Sequence, residues 1–332
     1  MSLRSSLRFA AHVHLLPVLE SGEETTLIGG QAVMEGVMMR SPQSYCIAVR
    51  KPDGEIITQS KPLAKISDRY PIFKYPMIRG LGTLGQAMKL GVEALQYSAN
   101  AALTDEEKAK GDGKEDGAKP ISGWLMGVNL AFSLLFFLFL YKFVPLWLTT
   151  KMQESVPQLG NQILFNLMDG AIRLVIFLTF LYGISRFKDI HRVFMFHGAE
   201  HRVVFNFESG KAVTVPNAQS FVTWHPRCGT SFLIVVMLIS MCVYALLPIE
   251  SFAGKMASRI VLLPVIAGLS YEIIRFAAKR PGSLLTLITA PGLWLQRITT
   301  QTPGDDQTEV AIRALEGAME LERQQGGKLV IA

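Results

Sequence analysis

The chain has little of what staples or solubilises a protein. Its 332 residues include three cysteines, Cys46, Cys228 and Cys242, too few for a disulfide framework. Charged residues make up 18%, below the roughly 25% of an ordinary soluble domain. Hydrophobic residues make up 49%, and the mean hydropathy is +0.29. Disorder throughout, a collagen-like repeat and a disulfide-rich secreted scaffold are excluded, and a membrane protein is the first expectation. The N-terminus lacks a secretory signal, since its apolar stretch from Phe9 to Leu19 is broken by His12, His14 and Pro17. P-loop and G-x-S-x-G patterns are missing as well, which removes support for nucleotide hydrolysis and serine-type acyl transfer. The net charge is +6, but the basic residues form no dense tract with interleaved aromatics. That argues against nucleic acid and suits loops lying against anionic lipid.

What is present is a set of long apolar runs. Ile121–Tyr141 carries no charge over enough residues to cross roughly 30 Å of hydrocarbon as a helix. Gly229–Ile249 is a second such run, and Leu164–Ser185 a third, interrupted by Asp169 and Arg173, whose i,i+4 spacing lets them pair. A fourth, Ile260–Ile274, is short and holds Pro264 and Glu272, which predicts a kinked or tilted segment. Lys142 and Lys151, and Lys255 and Arg259, mark poorly basic connections. The richer loop 186–228 and both termini are then expected on the cytoplasmic side of a bacterial inner membrane.

The predicted architecture is mainly α: a polytopic membrane protein with about four transmembrane helices and a small α+β N-terminal cytoplasmic module. Residues 1–27 form an N-terminal extension. Residues 28–103 hold two β-rich runs flanking Pro52-Asp53-Gly54, a hairpin signal, and then Leu81, Leu84, Met88, Val92 and Leu95 at helical spacing. That helix is expected to pack on the hairpin. Residues 104–120 read as a charged disordered linker. The membrane module covers 121–282 with its cytoplasmic loop 186–228. Residues 283–332 add an interfacial segment, SLLTLITAPGLWLQ, and an amphipathic tail helix carrying Val310, Leu315, Met319 and Glu322.

Four of the six histidines fall in the middle cytoplasmic segment. His197-Gly198-Ala199-Glu200-His201 has the H-x-x-E-H spacing, which on a helix projects two imidazoles from one face with a carboxylate alongside. Two imidazoles so placed can share a divalent ion, zinc by preference, while Glu200 acts as general base toward water. The third ligand is expected from His225 or Cys228 in HPRCG, with Glu208 and His191 as supporting partners. A zinc deaminase is set aside, because Glu200 follows His197 by three residues and Pro226-Arg227-Cys228 has no second cysteine. Glu272 can pair with Arg275 one turn on, and Glu35 sits among small and apolar residues with the site or Arg40 as its possible partner.

Six blocks then carry a family resemblance: IGGQAVMEGVMMRSP (28–42), AVRKPDGEI (48–56), LGVEALQYSAN (90–100), FHGAEH (196–201), HPRCGTSF (225–232) and PGLWLQRITT (291–300). Together they resemble the YqhQ-like family of bacterial membrane proteins, a domain of unknown function. The resemblance implies a metal-dependent enzyme without a substrate, with His197, Glu200, His201, His225 and Cys228 in the matching blocks. Related chloroplast membrane proteins imply an alternative, a non-catalytic factor for biogenesis of multi-spanning proteins. Its partners would be nascent membrane proteins or the translocation machinery.

Overall fold

The structure is a computed structural model that describes residues 28–64, 66–102, 123–225, 228–278 and 285–325. The N-terminal extension and the charged linker lie outside the described residues.

Four strands, β1 (Gly29–Val33), β2 (Gly36–Arg40), β3 (Ser44–Arg50) and β4 (Ile56–Pro62), form an antiparallel meander in chain order. The expected hairpin is β3–β4, pairing Arg50 with Ile56 around a turn that needs Gly54 at φ +90°. Among the described residues the helices are α1 (Ile78–Ala102), α2 (Gly123–Leu138), α3 (Val144–Ser155), α4 (Gln162–Ser185), α5 (Lys188–Glu208), α6 (Val215–Gln219), α7 (Gly229–Ala245), α8 (Phe252–Val261), α9 (Leu263–Ala278), α10 (Leu285–Thr299) and α11 (Asp305–Gln324), beside a few single turns.

The sheet is covered on both faces, which is why β2 and β3 read as nearly continuous apolar runs. Val37, Met39, Cys46 and Ala48 pack on Phe196, Ala199 and Val203 of α5 and on Val310, Ala314 and Leu315 of α11. Val33, Met38, Tyr45, Ile47 and Val49 pack on Leu90, Ala94 and Ala101 of α1. Each fully buried aliphatic side chain contributes about 1.5–3 kcal/mol. The α+β module is therefore not the stretch 28–103 alone, since its core is assembled from three distant segments of the chain. The tail helix belongs to that core and is pinned there by buried Glu322, which accepts from Ser41 Oγ (2.6 Å) and the Gln43 N–H (2.9 Å).

α1 does pack on the sheet, but by the other side of the helix from the one its large residues suggested. Leu84, Met88, Val92 and Leu95 are exposed. Small residues allow the close approach: a Cβ on Gly91 would lie 2.7 Å from the Gln31 side chain.

Among the described residues two helices are long and apolar enough to cross a membrane, Ala131–Ser155 and Gln162–Ser185, and the bent pair α8–α9, broken by 50°, makes a third if it is one span. The first helix includes the described part of the expected 121–141, being helical from Gly123, while residues 121–122 lie outside the described residues. Instead of ending at Tyr141 it continues through a π-helical turn, Phe139–Phe143, into α3. That turn precedes Pro145, which has no N–H to give, and brings Lys142 into the buried interior rather than a loop. The run from Gly229 forms a helix of 17 residues only, roughly 25 Å at 1.5 Å per residue, because Pro248 follows its end. The break at Leu262 precedes Pro264, as the kink prediction required. Glu272 is held by Arg79 of α1 and accepts from the Met77 N–H, so its hydrogen-bonding partners are across the fold, while Arg275 acts on it through its charge.

Candidate metal centre

The site is built on α5. Phe196, Ala199, Val203 and Val204 turn one side of this helix into the sheet core, which leaves His197, Glu200 and His201 on an adjoining side aimed at the approach to α7. The two rings stand 4.5 Å apart, centroid to centroid. Each is oriented by a backbone carbonyl: His197 Nδ1 meets the Thr299 oxygen at 2.8 Å, and His201 Nδ1 meets the Thr223 oxygen at 2.5 Å. A carbonyl can only accept, so each ring donates from Nδ1, which leaves Nε2 as the atom on the far side of the ring from its anchor.

Cys228 supplies the third donor. It is the N-cap of α7, with its sulfur 3.2 Å from His197 Nε2 and accepting from the Thr230 N–H. The ligand atoms of His197, His201 and Cys228 all lie within 4.8 Å of one another. In a tetrahedral zinc site, neighbouring ligand atoms stand roughly 3.3–3.7 Å apart, given the usual bond lengths. Buried His201 Nε2 has no hydrogen bond of proper length and angle, although the sulfur lies beside it. Burial alone would push the Cys228 thiol up, but the His201 imidazole and the Thr230 hydroxyl and N–H outweigh it and hold the thiol below its ordinary value. Burial depresses the His201 imidazole. Two imidazole nitrogens beside a readily ionised sulfur form a donor set that zinc prefers, and His201 Nε2, buried without a hydrogen bond, fits the part of a ligand atom.

Glu200 is the carboxylate beside this group. It is buried, and burial raises it to about 7; the His197 ring opposes that and the Cys228 sulfur adds to it. The Gly30 N–H reaches it from β1, and its Oε2 has no partner. Sequence reasoning missed Gly30, whose added Cβ would sit 2.9 Å from the Glu200 carboxyl carbon. A glycine inside a strand is a signal for close approach of another group, and the Gly29-Gly30 pair carried it. Also missed was Gln296, whose amide accepts from the His225 N–H (2.7 Å) and donates to the His225 carbonyl (2.8 Å), fixing the backbone at His225, three residues before Cys228.

His225 is not brought into the three-donor group. Its ring packs against Phe205, with Nε2 3.5 Å from buried Glu208, and burial lowers it to about 4. Glu208 thus stands behind His225. His191 is exposed. Glu35, at φ +53° in the β1–β2 turn, pairs with Arg192 rather than facing the site or Arg40. Pro226 and Arg227 lie outside the described residues.

The chain is similar to "Uncharacterized protein YqhQ" of Bacillus subtilis (strain 168), 33% identical over 301 residues that cover 89% of this chain and 92% of that one. No solved structure matches it. A family model described as "Protein of unknown function (DUF1385)" matches residues 75–321, a span that takes in α5, the approach to α7, and the Gln296 and Thr299 anchors, so the chain belongs to that family.

Proposed function

We propose that this protein is an integral protein of the bacterial inner membrane that holds one divalent ion, zinc by its donor set, through His197, His201 and Cys228, and hydrolyses a membrane-adjacent substrate at the cytoplasmic face. The observation that carries the reading is the convergence of two carbonyl-anchored imidazoles on one sulfur, with an unpartnered Glu200 oxygen alongside. Bound there, the ion supplies Lewis acidity toward water and a polarised carbonyl or ester. Glu200 takes the proton from water and returns it to the leaving group, a role suited to a carboxyl poised near neutrality. Half-buried His197 and Cys228 form the open side, while buried His201 and Glu200 form the floor. The membrane arrangement in this reading has four crossings, α7 being the short one, and follows the basic residues in setting both termini inside.

Metal analysis of the purified protein is the first test: about one zinc per chain in wild type, lost in His197→Ala and His201→Ala. Glu200→Gln then separates chemistry from scaffolding. An enzyme loses function while keeping metal and fold, whereas a factor that only docks nascent membrane proteins tolerates the change. A metal-free protein inactivated by alkylation of Cys228 would instead make the sulfur a nucleophile and end the metal reading.

A further inference from the structure

A second group of buried charges lies toward the opposite end of α4. Asp169 stands sixteen residues before Ser185, so roughly 24 Å of helix separate it from the end that leads to α5 and the metal centre.

Three cations surround this single carboxylate. Arg173 Nη2 lies 2.5 Å and Arg259 Nη2 3.0 Å from Asp169 Oδ2. Lys142 Nζ and the two guanidinium carbons lie 5.8, 5.8 and 5.4 Å from the centroid of one ring, that of Tyr244. All five residues are more than nine-tenths buried. Formally, three positive charges against one negative leave two uncompensated, among helices rich in apolar side chains. Unbalanced charge in such surroundings is costly unless it is used, and attraction to one aromatic ring offsets only a small part.

The group is built rather than incidental. The Tyr141 carbonyl, four residues before Pro145, which has no N–H to give it, accepts from Arg173 Nε at 3.1 Å, and Ser240 Oγ accepts from Arg173 Nη1 at 3.2 Å beside the π-helical turn at 139–143. π-helical turns of this kind recur at functional sites. Each nitrogen of Arg173 therefore has a partner. Arg259, only 1% exposed, keeps both Nε and Nη1 without a hydrogen-bond partner. Those two donors lie on different edges of the guanidinium, on either side of the Nη2 that holds Asp169, so an anion reaching Arg259 takes one of them as a charge-assisted hydrogen bond.

We propose that Arg259 and Lys142, positioned by Asp169, Arg173 and Tyr244, bind a phosphate group, carried by an anionic phospholipid or by free inorganic phosphate. The site is separate from the metal centre, and its test does not depend on metal or on activity. α8, a short helix broken by 50° from α9, carries Arg259 and leaves Val261 mostly exposed, so it is the wall beside which a lipid can lie.

The test uses the full chain in detergent micelles, with the melting temperature read against four additions and total phosphorus measured after exhaustive washing. Dioleoyl phosphatidylglycerol is compared with dioleoylglycerol, which has the same chains and no phosphate. Sodium phosphate is compared with chloride at equal ionic strength. Wild type is expected either to melt higher with a phosphate-bearing addition than with its control, or to retain about one phosphorus per chain. A response to the lipid alone assigns the headgroup, and a response to inorganic phosphate assigns the free ion. Arg259→Gln and Lys142→Met should each weaken half-saturation at least about tenfold, as expected for loss of a charge-assisted hydrogen bond. If Arg259→Gln does not fold, Lys142→Met carries the test. The proposal is overturned if wild type shows neither the shift nor the phosphorus, or if Lys142→Met responds as wild type does.

Discussion

At the residue scale, Glu200 makes the sharpest demand on experiment. Its carboxyl is raised by burial to about 7 from an ordinary value of 4.5, so in the metal-free protein the fold favours the protonated form. Stability is then greatest below about pH 4.5 and declines as pH rises through 7, by up to about 3 kcal/mol. Glu200→Gln should abolish that decline, which chemical denaturation of metal-stripped protein at pH 5 and pH 8 would show; equal slopes in both proteins would contradict it. Gly198 makes a different demand, since a Cβ there would collide with the Gln301 carbonyl oxygen. The loop bearing that carbonyl adjoins Thr299, the anchor of His197, and donates its Gln301 N–H to the Phe194 carbonyl at 2.9 Å. Gly198→Ala should therefore cost about 1–3 kcal/mol and weaken metal binding, measured by thermal melting and by metal content.

At the scale of elements, α1 and α11 show how one apolar pattern can be read two ways. On α11, Val310, Leu315, Met319 and Glu322 are all buried, and the face legible in the sequence is the face that packs. Removing Glu322 leaves Ser41, Ser44 and the Gln43 N–H without their shared acceptor. Glu322→Ala should cost about 1.5–3 kcal/mol, the range for hydrogen bonds to a charged group, seen as a lower denaturation midpoint. On α1 the legible stripe is exposed and the buried positions are Leu90, Ala94, Ser98 and Ala101. Periodicity marked a helix correctly but chose its side by side-chain size, whereas the sheet selected small residues that let two backbones come close. Ala94→Leu should therefore destabilise by about 1–3 kcal/mol, while Met88→Gln should stay within about 0.5 kcal/mol. The reverse order in thermal melts would show that the large residues are the packed ones.

At the scale of the whole molecule, the candidate metal centre depends on three separated parts of the chain. α5 supplies the imidazoles, the approach to α7 supplies the sulfur, and the end of α10 supplies the Thr299 carbonyl and Gln296. Ion binding should therefore stabilise the assembly as a unit: free zinc at 100 times its Kd contributes about 2.7 kcal/mol. Chelation should lower the melting temperature of wild type and leave His197→Ala unchanged, and a chelator-insensitive wild type would speak against the centre. Deleting residues from Asp305 onward would uncover Val37, Met39, Cys46 and Ala48, and should produce aggregation on purification rather than a trimmed, stable protein.

The sequence by itself determined the apolar segments, the hairpin around Gly54, the tail helix and the one-sided placement of His197, Glu200 and His201, because each follows from local spacing or turn chemistry within a few residues. Tertiary structure alone decided that Cys228 and not His225 joins the imidazoles, that Glu272 pairs with Arg79, that Lys142 is buried, and that the sheet is covered by helices over a hundred residues away. Those outcomes depend on which distant side chains meet and how closely backbones approach, and local periodicity does not encode either.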